Sequence, residues 1–524
     1  MRRASANGQR ITWLAAGLAI LLATSDARAQ CEVAQLVGTG GAGSARISAD
    51  VAVVGDTQAF GSLGAAYVFR RGPDGPQDWT LEAVLMAPEP DVEDVFGLAV
   101  AVSGGVIVVS AHHADAPEFH SGAAYIFRHD SATGQWGYEA TLTASDGDMG
   151  DIFGWSVSID GDAVLIGARD DENDGVSQSG SAYVFRYNRE ASAWVEEAKL
   201  TDPDGEQGDL FGVSVSIRGD AALIGAHGND SPGLDSGAAF VFRYDGASWD
   251  LESELNASDA DWGDRFGSSV SLGDDRAIVG AYWENSTPKG NDAGSAYIFR
   301  YDGVGWIEEQ KITASDADPL DWFGASVSIS EDADTTLIGA PDDEEQGFES
   351  GSAYVFRYTG DTETPWSEVK KLLASDGGPG DHFAGVSMSD GIDYSLKHGG
   401  DVILGHVRAP GRLRCRYTHV PCHESASLRN LMINRSNDVL CVKLVLCQIT
   451  SSGSTVTSIR DGLNKGVRQP PFRFRRSEQD TCHGRSQYRI LIFARHRKFS
   501  KESWAVVSRT RSAESINERW VEIV

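Results

Sequence analysis

The chain is poor in the features that mark several common classes of protein. It has only 6 cysteines in 524 residues, and Cys31 is the sole one before residue 406, which excludes a scaffold held by disulfides. Beyond the N-terminus it has no apolar run long enough to span a membrane. It also lacks a Gly-x-Ser-x-Gly elbow, a phosphate-binding loop and a His-Glu-x-x-His motif. No common catalytic motif therefore points to an enzyme.

Basic residues are scarce in the first three quarters of the chain. Residues 1–405 contain 23 Lys and Arg against 67 Asp and Glu, a formal charge of −44, whereas residues 406–524 contain 22 against 9, a charge of +13. An acidic body repels phosphates, so we expect no nucleic-acid partner. The glycine content falls at the same place, because 54 of the 59 glycines precede residue 406. Two different kinds of sequence are therefore joined near residue 405.

The N-terminus has the layout of a secretory signal peptide. Three arginines at positions 2, 3 and 10 precede an apolar run over 11–23, and Ala27-Arg28-Ala29 offers small residues for cleavage after Ala29. We expect residues 1–29 to be removed and the mature protein to be secreted, periplasmic or on the cell surface, without a membrane span. The alternative is an uncleaved anchor, although the run is short for one.

The body of the chain repeats one unit. Its marker is Asp-x-Phe-Gly, which recurs at a mean spacing of about 57 residues, a period in the range of propeller repeats. The copies are Asp94-Val95-Phe96-Gly97, Asp151-Ile152-Phe153-Gly154, Asp209-Leu210-Phe211-Gly212, Asp264-Arg265-Phe266-Gly267, Asp321-Trp322-Phe323-Gly324 and the decayed Asp381-His382-Phe383-Ala384.

Each unit predicts four short strands. After Phe153, residues 156–160 alternate polar and apolar, residues 163–168 form a continuous apolar run, and residues 181–187 and 194–200 follow beyond a polar loop and a turn. Helical periodicity is missing throughout. Four antiparallel strands at a fixed period predict an all-β fold, a β-propeller, with a solenoid of stacked sheets as the alternative.

The two ends of the repeated region predict a closed, seven-bladed ring over residues 30–405. Residues 32–36 resemble a fourth strand without strands of their own upstream, so we expect them to complete the last blade and remove a free edge. Six complete units run over residues 43–373. The seventh gives strands at 386–389 and 401–405, and its Tyr-Val-Phe strand is missing, so we expect an incomplete last blade.

Asp-x-Phe-Gly followed by Leu337-Ile338-Gly339-Ala340-Pro341 resembles the FG-GAP repeat. That family includes the propeller headpiece of integrin α chains and exported bacterial proteins, and the resemblance covers about residues 32–405. It implies a propeller that binds a ligand. The family's calcium loop between the first two strands is replaced here by a short turn at Asp160-Gly161-Asp162, which cannot supply the six to eight oxygens that calcium takes.

Acidic clusters elsewhere could still bind calcium. They lie in the loops before each Asp-x-Phe-Gly and alternate carboxylates around a Gly turn. The candidates are Asp146, Asp148, Asp151, Asp202, Asp204, Asp209, Asp259, Asp261 and Asp264. The alternative is that they are turn residues, with the last Asp capping the Phe-Gly turn. We expect no required cofactor, with calcium possible.

The sequence favours a binding or adhesion module over an enzyme. His112, His113 and His120 form the only histidine cluster in the repeats, but adjacent residues on a strand point to opposite sides, which disfavours a metal site. We expect no catalytic residue, a monomer, and an extracellular protein or carbohydrate ligand. The alternative is an exported propeller enzyme, a polysaccharide lyase or a glycoside hydrolase.

Residues 406–524 form a basic tail with five cysteines but no Cys-x-x-Cys spacing and no repeat. The change falls inside the last blade, where a domain boundary is not expected. We interpret the tail as disordered and as the product of a frameshift, with a genuine basic module as the alternative.

Overall fold

The computed structural model describes residues 31–37, 42–73, 78–285, 292–374, 377–389, 393–398 and 401–406, together with strand segments between 429 and 512. The predicted signal peptide lies outside these residues. The chain divides into two compact units, Met1–Arg408 and Ala409–Val524. In the part of the chain that is described, no helix is long and apolar enough to cross a membrane.

The first unit is an all-β propeller with six blades, each a four-stranded antiparallel sheet whose strands pair in chain order. A four-residue helical segment, α1 (Ala59–Ser62), connects the second and third strands of the first blade. The blades, in order, comprise β2 (Ala42–Ser48), β3 (Val51–Asp56), β4 (Ala65–Arg71), β5 (Trp79–Leu85); β6 (Val100–Ser103), β7 (Val106–Ala111), β8 (Ala123–Asp130), β9 (Gln135–Leu142); β10 (Phe153–Asp160), β11 (Ala163–Ala168), β12 (Ser181–Asn188), β13 (Ala193–Leu200); β14 (Ser214–Arg218), β15 (Ala221–Ala226), β16 (Ala238–Tyr244), β17 (Trp249–Leu255); β18 (Ser269–Leu272), β19 (Arg276–Ala281), β20 (Ser295–Tyr301), β21 (Trp306–Ile312); and β22 (Ser326–Ile329), β23 (Thr335–Ala340), β24 (Ser352–Tyr358), β25 (Trp366–Leu372).

A further four-stranded sheet joins the two ends of the unit. Its strands are β26 (Val386–Ser389), β27 (Asp393–His398), β28 (Asp401–His406) and the N-terminal β1 (Cys31–Val37), in the order β1-β28-β27-β26. The strand at the N-terminus pairs antiparallel with β28, as the sequence predicted. The prediction that this sheet lacks one strand was wrong. The sequence predicted residues 401–405 as the second strand, but β27 is the second strand and residues 401–406 form the third, β28.

The core of the propeller lies between neighbouring blades. The second strand of each blade is buried along its whole length, as its continuous apolar sequence predicted. The phenylalanine of Asp-x-Phe-Gly is fully buried and packs edge-on against the aromatic residues of the third strand. Phe153, for example, lies 5.5 Å from the Tyr183 ring and 6.0 Å from the Phe185 ring. Large aromatic area buried in this way dominates the packing energy.

The same set of polar contacts connects the outer strands of neighbouring blades around the propeller. The arginine that ends Tyr-Val-Phe-Arg pairs with a glutamate on the neighbouring outer strand, as Arg186 does with Glu197 at 2.7 Å. The other carboxylate oxygen of Glu197 accepts a 2.9 Å hydrogen bond from Trp249 Nε1 of the next blade. The recurring Arg, Glu and Trp of the sequence therefore connect adjacent outer strands.

The second unit contains strands β29 (Arg429–Arg435), β30 (Asp438–Thr450), β31 (Gly453–Thr455), β32 (Arg460–Asp461), β33 (Phe474–Arg475), β34 (Gln487–Arg495) and β35 (Val507–Ser512). Five of them form a sheet in the order β29-β30-β34-β35 with β31 paired to β30, and β32 pairs with β33. The frameshift interpretation concerns the gene and stays a prediction.

Candidate functional site

One end of the propeller carries the long loops. Because the strands of a blade alternate in direction, the loop between its second and third strands and the loop that leads to the next blade lie at the same end. We call this end the loop face. Among the described residues, the within-blade loops include 112–122, 169–180, 227–237, 282–285, 292–294 and 341–351, and the loops between blades include 86–99, 143–152, 201–213, 256–268 and 313–325. The Asp-x-Phe-Gly turns and all nine calcium candidates lie here.

The aspartate of Asp-x-Phe-Gly holds its own loop together. Its Oδ2 accepts a hydrogen bond from the backbone N–H three residues earlier, at 2.5 Å for Asp151, 2.7 Å for Asp209 and 2.7 Å for Asp264. All three carboxylates are buried, and this burial raises the pKa of each to about 6. The next residue has a positive φ in every described copy, such as 59° at Ile152. These aspartates fix a strained turn.

The other calcium candidates contact protein donors. Asp146 and Asp259 each accept hydrogen bonds from a tyrosine hydroxyl and a lysine ammonium. Asp202 accepts hydrogen bonds from the Asn229 side chain and from the Asp204 backbone N–H. The remaining three act through their backbone N–H groups: Asp148 donates to Asp151 and Asp261 to Asp264, while Asp204 makes the bond to Asp202 already given. Within the described ranges, no three His, Cys, Asp or Glu residues are placed to hold a metal ion. Calcium binding stays a prediction.

Three lysines on outer strands lie between paired acidic loops, although none of them belongs to a recurring motif of the sequence. Lys199 Nζ is 2.7 Å from Asp146 and 2.8 Å from Asp171. Lys311 makes the same contacts with Asp259 at 2.7 Å and with the fully buried Glu284 at 3.0 Å. A lysine ammonium thus stands between carboxylates of the kind that bind metal ions.

Lys371 makes the third of these clusters. Its Nζ lies 2.9 Å from Asp316, 2.7 Å from Asp343 and 2.6 Å from Glu345. Burial lowers the pKa of Lys371, but the hydrogen bonds that its ammonium donates to Asp343, Glu345 and Asp316 outweigh this and raise it. The Tyr354 hydroxyl donates to Asp343 at 2.6 Å, which completes the cluster.

Comparing the copies position by position would have found these lysines. The residue three after Gly-Ala is acidic where the outer strand carries Lys, as with Asp171, Glu284 and Asp343. In the blade that contains β14, Asn229 and Glu254 take these two positions, so the acid and the lysine are lost together. Charge compensation explains the joint change, because either partner alone would be an unpaired, partly buried charge.

A first group of side chains that breaks the repeat surrounds Trp155. The Arg169 guanidinium lies 3.4 Å over its ring, and the His112 ring meets it edge-on at 5.4 Å. Burial lowers the pKa of His112 to about 3. His112 follows β7 rather than lying within it, so the expected opposite orientation was wrong: the His113 ring lies 4.2 Å from it and stacks on His120 at 4.6 Å.

A second group lies on the loops of the next three blades. Arg265 Nη1 is 3.2 Å from His227 Nε2, and the guanidinium lies 4.1 Å over the Trp283 ring. Burial, and secondarily the charge of Arg265, lowers the pKa of His227 to about 4. Tyr282 packs against both Trp283 and Trp322 at 5.6 Å and 5.8 Å. These side chains occupy single variable positions beside constant motifs, which is why periodicity alone did not reveal them.

Exposed apolar side chains flank these groups on neighbouring loops. Phe119 is 53% exposed and Met149 71% exposed, and their loops are joined by the hydrogen bond from Gly150 N to the Phe119 carbonyl at 3.1 Å. Leu234 and Trp262 repeat the arrangement at 56% and 66% exposure, with Gly263 N bonded to the Leu234 carbonyl at 3.0 Å. We call Phe119, Met149, Leu234 and Trp262 the rim patches. Apolar residues grouped in this way mark interaction surfaces more than isolated ones do.

The fold and its repeats define the class of protein: a β-propeller built from one recurring sequence unit. Five segments match the family model described as FG-GAP repeat, namely residues 79–127, 136–185, 194–242, 249–299 and 306–356. The chain belongs to the FG-GAP repeat family, with repeats spanning residues 79–356. Each segment begins at an outer strand and ends in the third strand of the next blade, so every repeat connects two blades.

A search of curated proteins found no match to the sequence. Several solved structures are similar to this chain at low sequence identity. Sqt1 of Saccharomyces cerevisiae is 10% identical, with a TM-score of 0.42 over 72% of this chain and 98% of that one. The periplasmic gluconolactonase PpgL of Pseudomonas aeruginosa is 13% identical, with a TM-score of 0.42 over 64% and 86%. A putative 6-phosphogluconolactonase of Bacteroides uniformis is 15% identical, with a TM-score of 0.43 over 66% and 88%.

Proposed function

We propose that this protein is an exported, non-catalytic binding module that recognises a protein ligand on its loop face. The observation that carries the proposal is the position of the rim patches, because they lie on loops that vary between otherwise constant repeats. Loops held by a rigid scaffold are the usual place for recognition. Aromatic side chains such as Trp262 and Phe119 supply large contact area at low entropic cost, as in other binding surfaces.

Charge narrows the class of ligand. Beside Met149, the carboxylates of Asp148, Asp170 and Glu172 line a groove of about 380 Å³. The whole of residues 1–405 has a formal charge of −44. A partner whose surface combines Lys or Arg with apolar side chains would complement both features and would associate faster at low salt. We therefore propose a basic protein segment as the ligand, with carbohydrate as the competing class.

The arrangement of the sheets supports a seven-bladed ring. The inner strand β26 of the terminal sheet lies between β22 of the sixth blade and β2 of the first. We infer that this sheet, completed by β1, is the seventh blade. We further propose a monomer, secreted, periplasmic or on the cell surface, that requires no cofactor.

The test is a binding screen of the full chain against an array of peptides that combine basic and aromatic residues and against a glycan array. We expect peptide binding that weakens with salt and falls more than tenfold in a Leu234→Ala, Trp262→Ala double variant. Ile307→Ala is the matched control, because Ile307 is 50% exposed but lies on the outer strand β21. Glycan binding alone, or equal peptide binding by the double variant, would refute the proposal.

The pairing of Arg265 with His227 favours one second candidate, the exported enzyme. Because a guanidinium only donates, Arg265 occupies His227 Nε2 at 3.2 Å and leaves the neutral imidazole with an Nδ1–H, which would donate a hydrogen bond to a polysaccharide. Release of reducing ends from polysaccharides by the wild type, and its loss in His227→Gln, would support this candidate over the binding module.

A further inference from the structure

The inner strands of the propeller surround a central cavity of about 170 Å³. Residues from all seven of them, β2, β6, β10, β14, β18, β22 and β26, line it. Each inner strand is the edge strand of its sheet, so some of its backbone N–H groups have no partner strand. In four of the blades, a serine on the inner strand of the preceding blade accepts a hydrogen bond from one of these N–H groups. The bonds are Ile217 N to Ser158 Oγ at 3.1 Å, Leu272 N to Ser216 Oγ at 3.1 Å, Ile329 N to Ser271 Oγ at 3.1 Å and Met388 N to Ser328 Oγ at 2.9 Å.

Each of these serine hydroxyls can still donate a hydrogen bond to a molecule in the cavity. A hydroxyl that accepts a hydrogen bond still has its own hydrogen to donate. Within the described part of the chain, no acceptor is bonded to that hydrogen in Ser158, Ser216, Ser271 or Ser328. The wall of the cavity is therefore rich in hydrogen-bond donors.

The first blade replaces this serine with arginine. On the inner strand of the first blade, Arg46 pairs with Val53, and on that of the third blade, Ser158 pairs with Leu165. Val53 and Leu165 each lie two residues before the glycine of the second strand. Arg46 and Ser158 therefore occupy equivalent positions. Arg46 accordingly lines the cavity. The second blade has Ala101 at this position and the third to sixth blades have serine, so Arg46 is the one charged residue at this position among the six blades.

Among the described residues, the guanidinium of Arg46 has one hydrogen bond, from Nη1 to the carbonyl of Ala45 at 3.0 Å. No described carboxylate pairs with it. The two acidic residues on the cavity wall are otherwise engaged: Glu331 lies 3.5 Å from Arg218, and Asp160 accepts a 2.7 Å hydrogen bond from Gly219 N. Burial lowers the pKa of Arg46, as expected for a cation without a counter-ion.

We propose that the central cavity binds a small oxyanion of the phosphate or sulfate class, held by Arg46 and the serine hydroxyls. The planar guanidinium fork matches two oxygens of such an anion, and the hydroxyls offer hydrogen bonds to the others. The cavity is several times the roughly 30 Å³ that one water occupies in the liquid. Because β2 lies beside β26, Arg46 lines the cavity on the side where the first and last sheets meet.

The test is isothermal titration of the full chain with sodium phosphate, sodium sulfate and sodium acetate at constant ionic strength. We expect saturable binding of one phosphate or sulfate per chain, and at least tenfold weaker binding in Arg46→Ser, which introduces the serine of the third to sixth blades. Arg189→Ser is the matched control, because Arg189 is 79% exposed on the surface; its phosphate binding should equal that of the wild type.

Arg46→Lys keeps the charge but loses the fork, and we expect it to bind phosphate with intermediate affinity. Unfolding of Arg46→Ser would not obstruct the test, because the wild type and Arg46→Lys are titrated independently. Absence of saturable binding by the wild type, or equal binding by Arg46→Ser, would overturn the proposal. Saturable binding of acetate but not of phosphate would also overturn it, in favour of a carboxylate ligand.

Discussion

Replacing Lys371 by methionine tests whether an internal ammonium takes the place of a bound cation on the loop face. Methionine has a similar length but no charge, so it removes the partner of Asp343, Asp316 and Glu345 while filling most of the space. Asp343 has 6% of its side chain exposed, whereas Asp316 and Glu345 have 47% and 49%. Only Asp343 therefore becomes an uncompensated buried charge.

The expected loss follows from that burial. Removing one partner of a buried ion pair costs about 3–5 kcal/mol, whereas an exposed pair contributes about 0–1 kcal/mol. Because Lys371 is itself 16% exposed and two of its partners can turn towards water, we expect about 3 kcal/mol. For a ring of this size, this corresponds to a fall in Tm of at most about 6 °C.

Thermal unfolding followed by circular dichroism at pH 7 measures the loss. Arg189→Met, which removes an exposed pair with Asp162, should change Tm far less. Millimolar calcium should then raise the Tm of Lys371→Met, because three carboxylates are left facing one site, and should leave the wild type unchanged. Equal Tm values for the two variants, or the same calcium response in the wild type, would refute the reasoning.

Two further predictions concern the turns and the inner strands. Burial raises the pKa of Asp264 above its unfolded value to about 6, so its charge destabilises the fold increasingly as pH rises from 4 to 6. Asp264→Asn, which keeps an acceptor for Asp261 N–H, should therefore stabilise the protein at pH 7 by up to about 3 kcal/mol and not at all near pH 4; a lower Tm at pH 7 would contradict this. Ser271→Ala removes the acceptor of Ile329 N–H and should cost about 1 kcal/mol in urea unfolding, and an unchanged midpoint would show that the link between blades is dispensable.

The sequence determined the propeller and its blade boundaries. The periodic Asp-x-Phe-Gly turn, the alternating inner strand and the continuous apolar second strand are local signals, and their repetition leaves few ways to bury every apolar face. The closing strand β1 was also predictable, since residues 32–36 match the outer-strand pattern. The last sheet was assigned wrongly because β27 lacks both the apolar run and the Tyr-Val-Phe motif.

Only the tertiary structure decided which charged residues compensate one another. Lys371 and Asp343 are separated by 28 positions and Arg46 stands beside ordinary strand residues, so neither charge looks unusual in the linear chain. Strand pairing within the sixth blade and packing against the fifth bring the lysine between two loops, and the inner strands together place the arginine in a cavity that serines also line. The sequence determined the repeated blades because strand pairing and burial follow from the local pattern of apolar and polar residues. The sites depend on distances across blades, which no local pattern encodes.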